Sequence, residues 1–266
     1  MSENYSVRDL SDKQATFTPK IGIDVRATEN LLGYASYTFG QKSGGYNRAA
    51  GTLAVASYAV APEKVRTAEV GLKTQFLEKR LTFNVAAFHN DFRDYQAQVA
   101  NPIIDGRPVN GTVVVNAGRA TLYGVELEAS VRPVKDLQLR AHASILRTRF
   151  DEFANPTGAE SSDFTGNEVP NAPRLTAFGG FNYVLPEFGV PGNIQLNGSV
   201  SYIKRPYTNI QNNEALRGDN RTWVVAGIDY LSPERHWTLS LQVKNLLDRD
   251  FLVAKERQPA GTDTSR

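Results

Sequence analysis

EKVRTAEVGLKTQFLEKRLTFNVAAFHNDFRDYQAQ, Glu63 to Gln98, alternates apolar and polar residues on both sides of a short charged turn. Ala68, Val70, Leu72, Thr74 and Phe76 alternate with Thr67, Glu69, Gly71, Lys73 and Gln75. After the charged turn Glu78-Lys79-Arg80, Leu81, Phe83, Val85 and Ala87 alternate with Thr82, Asn84 and Ala86. Successive side chains on a strand point to opposite faces, so this is a long antiparallel hairpin with one apolar wall and one polar wall.

The pattern extends in both directions. Strands are expected at about 15–26 and 31–42 before the hairpin, and at about 123–132, 137–145, 173–185, 193–204, 220–231 and 237–246 after it. Tyr123, Val125, Leu127, Ala129 and Val131 alternate with Gly124, Glu126, Glu128, Ser130 and Arg132, the cleanest of these runs. The connections alternate in length. Short turns fall near 28, 79, 134, 189 and 233; long ones fall near 52, 106, 161 and 211. About ten strands of roughly 9–11 residues match the length that crosses a bilayer at a tilt. Short turns on one rim and long loops on the other are the asymmetry of outer-membrane barrels. Phe76, Tyr183, Tyr230 and Trp237 lie on apolar faces beside short turns, and Tyr37, Phe39 and Tyr202 on apolar faces nearer long loops. Two aromatic girdles are expected of a lipid-facing band. A soluble sandwich would use strands of about 5–6 residues. The expected fold is all-β: an antiparallel meander of about ten long transmembrane strands, part of a larger outer-membrane β-barrel.

Composition agrees. The 266 residues carry a net charge of +2, which gives no general attraction to nucleic acid. There is no cysteine, which excludes a disulfide framework and a thiolate metal site. Mean hydropathy is −0.38, mildly hydrophilic as alternation makes barrel strands.

With the strands placed, an ordered set of short motifs resembles the C-terminal barrel portion of TonB-dependent outer-membrane receptors. Thr18-Pro19-Lys20-Ile21-Gly22, then Tyr34 to Gly40, then Gly44-Gly45-Tyr46-Asn47 resembles that family's run ending in GGxN. Pro62-Glu63 followed by Glu69-Val70-Gly71-Leu72-Lys73 is similar to its PE…E-x-G-x-K signature. Asp91 to Gln96, Asn116-Ala117-Gly118, Tyr123 to Glu128 and Asn245 to Phe251 complete the order. The resemblance implies a bacterial outer-membrane location and TonB-coupled uptake of a ferric siderophore or similar scarce solute. The implied partners are outer-membrane lipid, a plug domain, the remaining barrel strands, the TonB complex acting through the plug, and a small-molecule ligand. No plug, TonB box, signal segment or final aromatic-ended strand is recognised, so residues 1–266 are expected to be a partial barrel domain. Its strands run over about 15–251, and 252–266 is a loop or cut end. The alternative is a self-contained ten-stranded barrel acting as an enzyme or a passive porin.

No catalytic motif and no cofactor site is found. His89, His142 and His236 lack metal-ligand spacing, so no metal site is expected. Ligand contacts are expected on the long loop 43–62, at Tyr46, Asn47, Arg48 and Tyr58, which offer rings and hydrogen-bonding groups; alternatively, Gly44-Gly45 there serves only to turn the chain. Arg107, Arg205 and Arg217 on other long loops could attract an anionic ligand or lie against solvent or lipopolysaccharide. Glu69, Lys73, Glu126, Glu128, Arg140 and His142 are expected to line the lumen. The charged residues of the 119–145 hairpin read either as a cross-strand charge ladder or as a lining that meets plug or ligand.

Overall fold

The computed structural model describes residues 14–47, 53–100, 103–104, 107–108, 112–116, 118–153, 163–186, 189 and 191–253. In chain order the strands are β1 (Lys20–Thr28), β2 (Leu31–Lys42), β3 (Gly45–Tyr46), β4 (Ala59–Val60), β5 (Glu63–Phe76), β6 (Leu81–Arg93), β7 (Gln96–Ala100) and β8 (Ile103–Ile104). They continue with β9 (Arg107–Pro108), β10 (Thr112–Asn116), β11 (Arg119–Val134), β12 (Leu137–Glu152), β13 (Leu175–Val184), β14 (Asn193–Ile203), β15 (Arg221–Leu231) and β16 (Thr238–Val243). One short helix, α1 (Leu53–Ala56), lies between β3 and β4.

Ten of these strands form one antiparallel meander in the order β1-β2-β5-β6-β11-β12-β13-β14-β15-β16. The Glu63–Gln98 stretch becomes β5 and β6, paired without a break from Lys64↔Arg93 to Phe76↔Leu81. Its tight turn needs left-handed backbone at Leu77, Glu78 and Lys79, with φ of 52°, 56° and 68°. β11 and β12 are longer than the alternation alone indicates, reaching back to Arg119 and on to Glu152. About ten long strands were expected, and the main sheet has ten; the other six described strands pair in three small two-stranded ladders. β1 and β16 stand at the two ends of the sheet rather than beside each other.

Register makes the two walls continuous from strand to strand. Leu72, Val85, Leu127, Ala143, Ala177 and Tyr202 form one cross-strand row on the apolar wall. Among the described residues nothing covers that wall: Leu72 is 47% exposed, Ile145 49% and Leu241 67%. Soluble monomers rarely leave a contiguous apolar patch beyond a few hundred Å² uncovered. The opposite wall carries Tyr34, Glu69, Lys73, Asn84, Glu126, Glu128 and His142. On it the Tyr34 ring lies across Gly71, where an added Cβ would run into the ring.

The buried apolar core lies at the long-loop end of the sheet. Phe150 and Ala120 are wholly buried, with Val55, Val99, Val113, Val115, Phe153 and Phe164 around them. Phe92, Ala120 and Phe150 are cross-strand partners and share the wall of Asn84, Glu128 and His142. The polar wall therefore turns apolar toward this rim, and the connections fold over it.

Candidate functional site

The polar wall is concave. Tyr34, Lys73, Asn84, Glu126, Glu128 and His142 border a recess of about 640 Å³. Lys73, Asn84, Glu128, His142, Phe178 and Ser201 form one row across it. The Tyr34 hydroxyl donates to Glu69 at 2.7 Å, and Lys73 Nζ sits 5.5 Å from the Tyr34 ring centroid. Glu128 faces His142 in register but accepts its hydrogen bond from Asn84 Nδ2 at 3.1 Å. Among the described residues, no ion pair joins Glu126, Glu128, Arg132, Arg140 and His142. The charge-ladder reading of this hairpin is therefore corrected. Glu128 is satisfied by an amide, and Glu126, Glu128, Arg140 and His142 stay exposed. Exposed charges that are not paired to each other remain able to bond water, ligand or a docked domain.

At the long-loop rim, β7 and β10 pair as a separate hairpin from Gln96↔Asn116 to Ala100↔Thr112. Ala97, Val99, Val113 and Val115 are its buried side. The chain reaches it through a sharp turn at Asp94, φ 53°. Tyr95 packs between Phe92 and Phe150 at ring-centroid distances of 5.8 and 5.4 Å. Burial, and then the nearby Glu63 carboxylate, push the Tyr95 phenol above its ordinary range. Glu63 itself accepts from Gln96 N–H at 2.7 Å. Between this hairpin and the 170–171 and 208–211 segments lies a second recess of about 630 Å³. Tyr95, Gln98, Thr112, Asn171, Thr208 and Gln211 line it, and among the described residues no charged side chain does.

This inward fold reassigns the expected ligand-contact loop. Asn47 is a clip: its Nδ2 donates to Val114 O at 3.1 Å, and its Oδ1 accepts from Val114 N–H at 2.9 Å. Tyr46 pairs with Ala59 in the β3–β4 ladder, and Tyr58 packs against the buried core. Arg48 lies outside the described residues. Asn47→Ala is therefore expected to cost about 1–3 kcal/mol, because it leaves Val114 without either partner. Hydrogen exchange at the β7–β10 hairpin checks this; unchanged protection would contradict the clip.

The arginines expected to attract anions are partly engaged. Arg217 is almost fully buried, donates to Glu214 at 2.7 Å and to Arg205 O at 2.8 Å, and lies 4.2 Å from the Tyr207 ring centroid. Arg205 approaches Glu214 at 3.6 Å, and the Arg107 side chain lies outside the described residues. The hydrogen bond from Tyr207, together with Arg217 and Arg205, holds the Glu214 carboxyl below its ordinary range. A carboxylate with a lowered folded pKa contributes above its unfolded value and loses that contribution as pH falls through the folded one. Limited proteolysis of the 205–217 segment is thus expected to match at pH 7 and pH 5, with opening only below about pH 4.3. Opening between pH 7 and pH 5 would contradict the assignment.

No group of three His, Asp or Glu side chains suited to a metal occurs among the described residues. His89 lies against Tyr123 and His142 against Phe178, while His236 sits 3.5 Å from Glu234.

A long-stranded meander with a bare apolar wall, a concave polar wall and loops folded over one rim is the geometry in question. The family described as TonB dependent receptor-like, beta-barrel, matches residues 2–246. The chain belongs to that family. Its members are transport receptors of the bacterial outer membrane, not enzymes, and this chain is an outer-membrane barrel wall of that type. Among related sequences, the "Probable TonB-dependent siderophore receptor PiuA" of Acinetobacter baumannii is 24% identical over 94% of this chain and 32% of its own length. The pesticin receptor of Yersinia pestis is 26% identical over 84% of this chain and 30% of its own. Among solved structures, the ferric yersiniabactin uptake receptor FyuA of Yersinia pestis superposes with a TM-score of 0.69 at 21% identity. It covers 91% of this chain and 34% of that one. The ferric preacinetobactin receptor BauA of Acinetobacter baumannii gives 0.68 at 21% identity, over 92% and 34%. The chain spans about a third of the length of these relatives.

Proposed function

We propose that this chain is the outer-loop-bearing wall of an importer that takes up a ferric siderophore or similar scarce solute, powered through TonB. The observation that carries this reading is the inward packing of the long connections. The β7–β10 hairpin, α1 and the 163–172 segment cover the polar wall at one rim, where a solute entering a lumen must pass. In this reading Glu69, Lys73, Glu126, Glu128, Arg140 and His142 line the lumen. The recess beside Tyr95 and Asn171 is the ligand-facing surface. The relatives named for ferric-siderophore uptake support the choice of cargo.

Residues 1–266 then form a partial barrel domain. Further strands continue from β1 and β16, and a plug domain fills the lumen and receives the pull of TonB. This reading is supported by the threefold greater length of the relatives and by the terminal places of β1 and β16 in the sheet. Such a wall makes and breaks no bond; it positions and encloses a solute.

The test is growth and radiolabelled iron uptake in iron-depleted medium, with a panel of single ferric siderophores, in cells with and without the gene. Loss of uptake for one siderophore, and the same loss when TonB is removed, is the expected result. Unchanged uptake across the panel would remove the importer reading.

A further inference from the structure

The recess between the β7–β10 hairpin and the 170–171 and 208–211 segments is bordered by neutral hydrogen-bonding side chains. Gln98 and Thr112 face it from the hairpin, Asn171 and Gln211 from the other side. All four are exposed, and among the described residues no hydrogen bond holds their side chains. Register sets their direction on the hairpin. Ala97, Val99, Val113 and Val115 turn into the core, so Gln98 and Thr112 turn away from it. Asn171 adopts left-handed backbone, φ 58°, and its N–H donates to Tyr207 O at 2.8 Å, which leaves its side-chain amide to the recess.

Charged groups beside the recess are already engaged. Glu168 is held by Arg174, and Arg217 turns to Glu214 and to Arg205 O. Glu63 accepts from Gln96 N–H at 2.7 Å, so a carboxylate stands behind the Tyr95 wall. The Tyr95 phenol stays protonated, because burial and then Glu63 oppose its ionisation.

This lining sorts ferric chelates by charge. Three hydroxamates, each a monoanion, neutralise a ferric ion; three catecholates, each a dianion, leave the complex with three negative charges. An anionic chelate entering the recess gives up hydration and meets amides and a carboxylate in return, so its charge stays uncompensated. A side-chain amide offers two N–H donors and a carbonyl acceptor, which suits a neutral ligand carrying both oxygens and N–H groups. The volume, about 630 Å³, is that of a small-molecule site.

We propose that the recess takes a net-neutral ferric chelate of the hydroxamate class, whose oxygens accept from the side-chain amides of Gln98, Asn171 and Gln211. The inference rests on the importer reading and narrows its cargo.

The experiment uses cells that carry the full-length gene and lack other siderophore receptors. The probe is radiolabelled ferrichrome, a neutral ferric trihydroxamate. Unlabelled ferric enterobactin, a trianionic tricatecholate, is expected to compete about a hundredfold less well than unlabelled ferrichrome. Equal competition by the two overturns the neutral class, and so does uptake of ferric enterobactin or another chelate of the panel without uptake of ferrichrome; the importer reading survives both results. Uptake of no chelate at all overturns the importer reading and this proposal with it. The double variant Gln98→Glu/Gln211→Glu, which replaces amide donors with acceptors, is expected to raise the KM for ferrichrome about tenfold. Gln138→Glu, the same change near the short-turn rim, is expected to leave it unchanged. Equal KM values for wild type and double variant, or an equal rise in Gln138→Glu, overturn the placement in the recess. Should the double variant not fold, the competition in wild-type cells decides.

Discussion

Leu127→Arg is expected to stop this chain from inserting into a bilayer. Leu127 sits in the middle of the apolar row, between Val85 and Ala143, and its side chain meets nothing within the sheet that could hold a guanidinium. In outer-membrane barrels an outward arginine near the midplane costs about 2–4 kcal/mol, which falls toward zero at the interfaces. Val85→Arg, directly across the β6–β11 ladder, should behave alike. Ser144→Arg, on the polar wall beside Glu126, should cost a small fraction of this, because water and Glu126 are at hand. Refolding into vesicles, followed by the heat-dependent gel shift of folded barrels, reads all three. Equal folding of Leu127→Arg and Ser144→Arg would contradict the two-wall account.

Phe150→Ala is the second large expected effect, and it acts at the other end of the molecule. Phe150 is fully buried among Tyr95, Phe153 and the valines of the β7–β10 hairpin, with ring centroids at 5.4 and 4.9 Å from Tyr95 and Phe153. Truncation of a fully buried phenylalanine costs about 3–5 kcal/mol, through lost transfer energy and the cavity left behind. The backbone of Phe150 bonds Asn167 O and Gly166 N–H at 2.8 and 2.7 Å, so the loss also reaches the 163–170 segment. The main sheet does not depend on this ring, because the Lys73-to-Ser201 row is far down the strands. Hydrogen exchange should therefore show lost protection at 96–100, 112–116 and 163–170, with β5, β6 and β13 to β15 unchanged. In the importer reading the same variant loses ligand affinity without losing membrane insertion. Uniform loss of protection would mean that the rim and the wall are one cooperative unit.

The wall was legible because alternation is a local property. Val125, Glu126, Leu127 and Glu128 assign their own faces, and the turn at Glu78-Lys79-Arg80 assigns the register. The rim was less legible because its packing joins residues far apart in sequence. Val55, Val113, Phe150 and Ile210 meet in one cluster although no periodicity links them. A signal was present: Ala97 and Val99 alternate after Asp94, and Val113 and Val115 after Gly111. The signal is short, and the Pro- and Gly-containing stretch 101–111 interrupts it. For the same reason Asn47 and Tyr58 looked free to meet a ligand, when one bonds Val114 and the other packs on the core. Alternation sets Glu126, Glu128, Arg140 and His142 on one face, but it does not disclose neutral partners such as Asn84. Glu128 to Asn84 joins β11 to β6, not β11 to its hairpin mate.

One wall of this sheet faces lipid and, in the importer reading, the other faces a water-filled lumen. The absence of native cysteine makes it directly measurable. Single cysteines at Val125, Glu126, Leu127 and Glu128, in protein inserted in vesicles, can be tested with a membrane-impermeant thiol reagent and with a lipid-phase quencher. A strict period of two is expected: reagent reaches 126 and 128, quencher reaches 125 and 127. Equal reactivity along the four positions, or the reverse alternation, would contradict it.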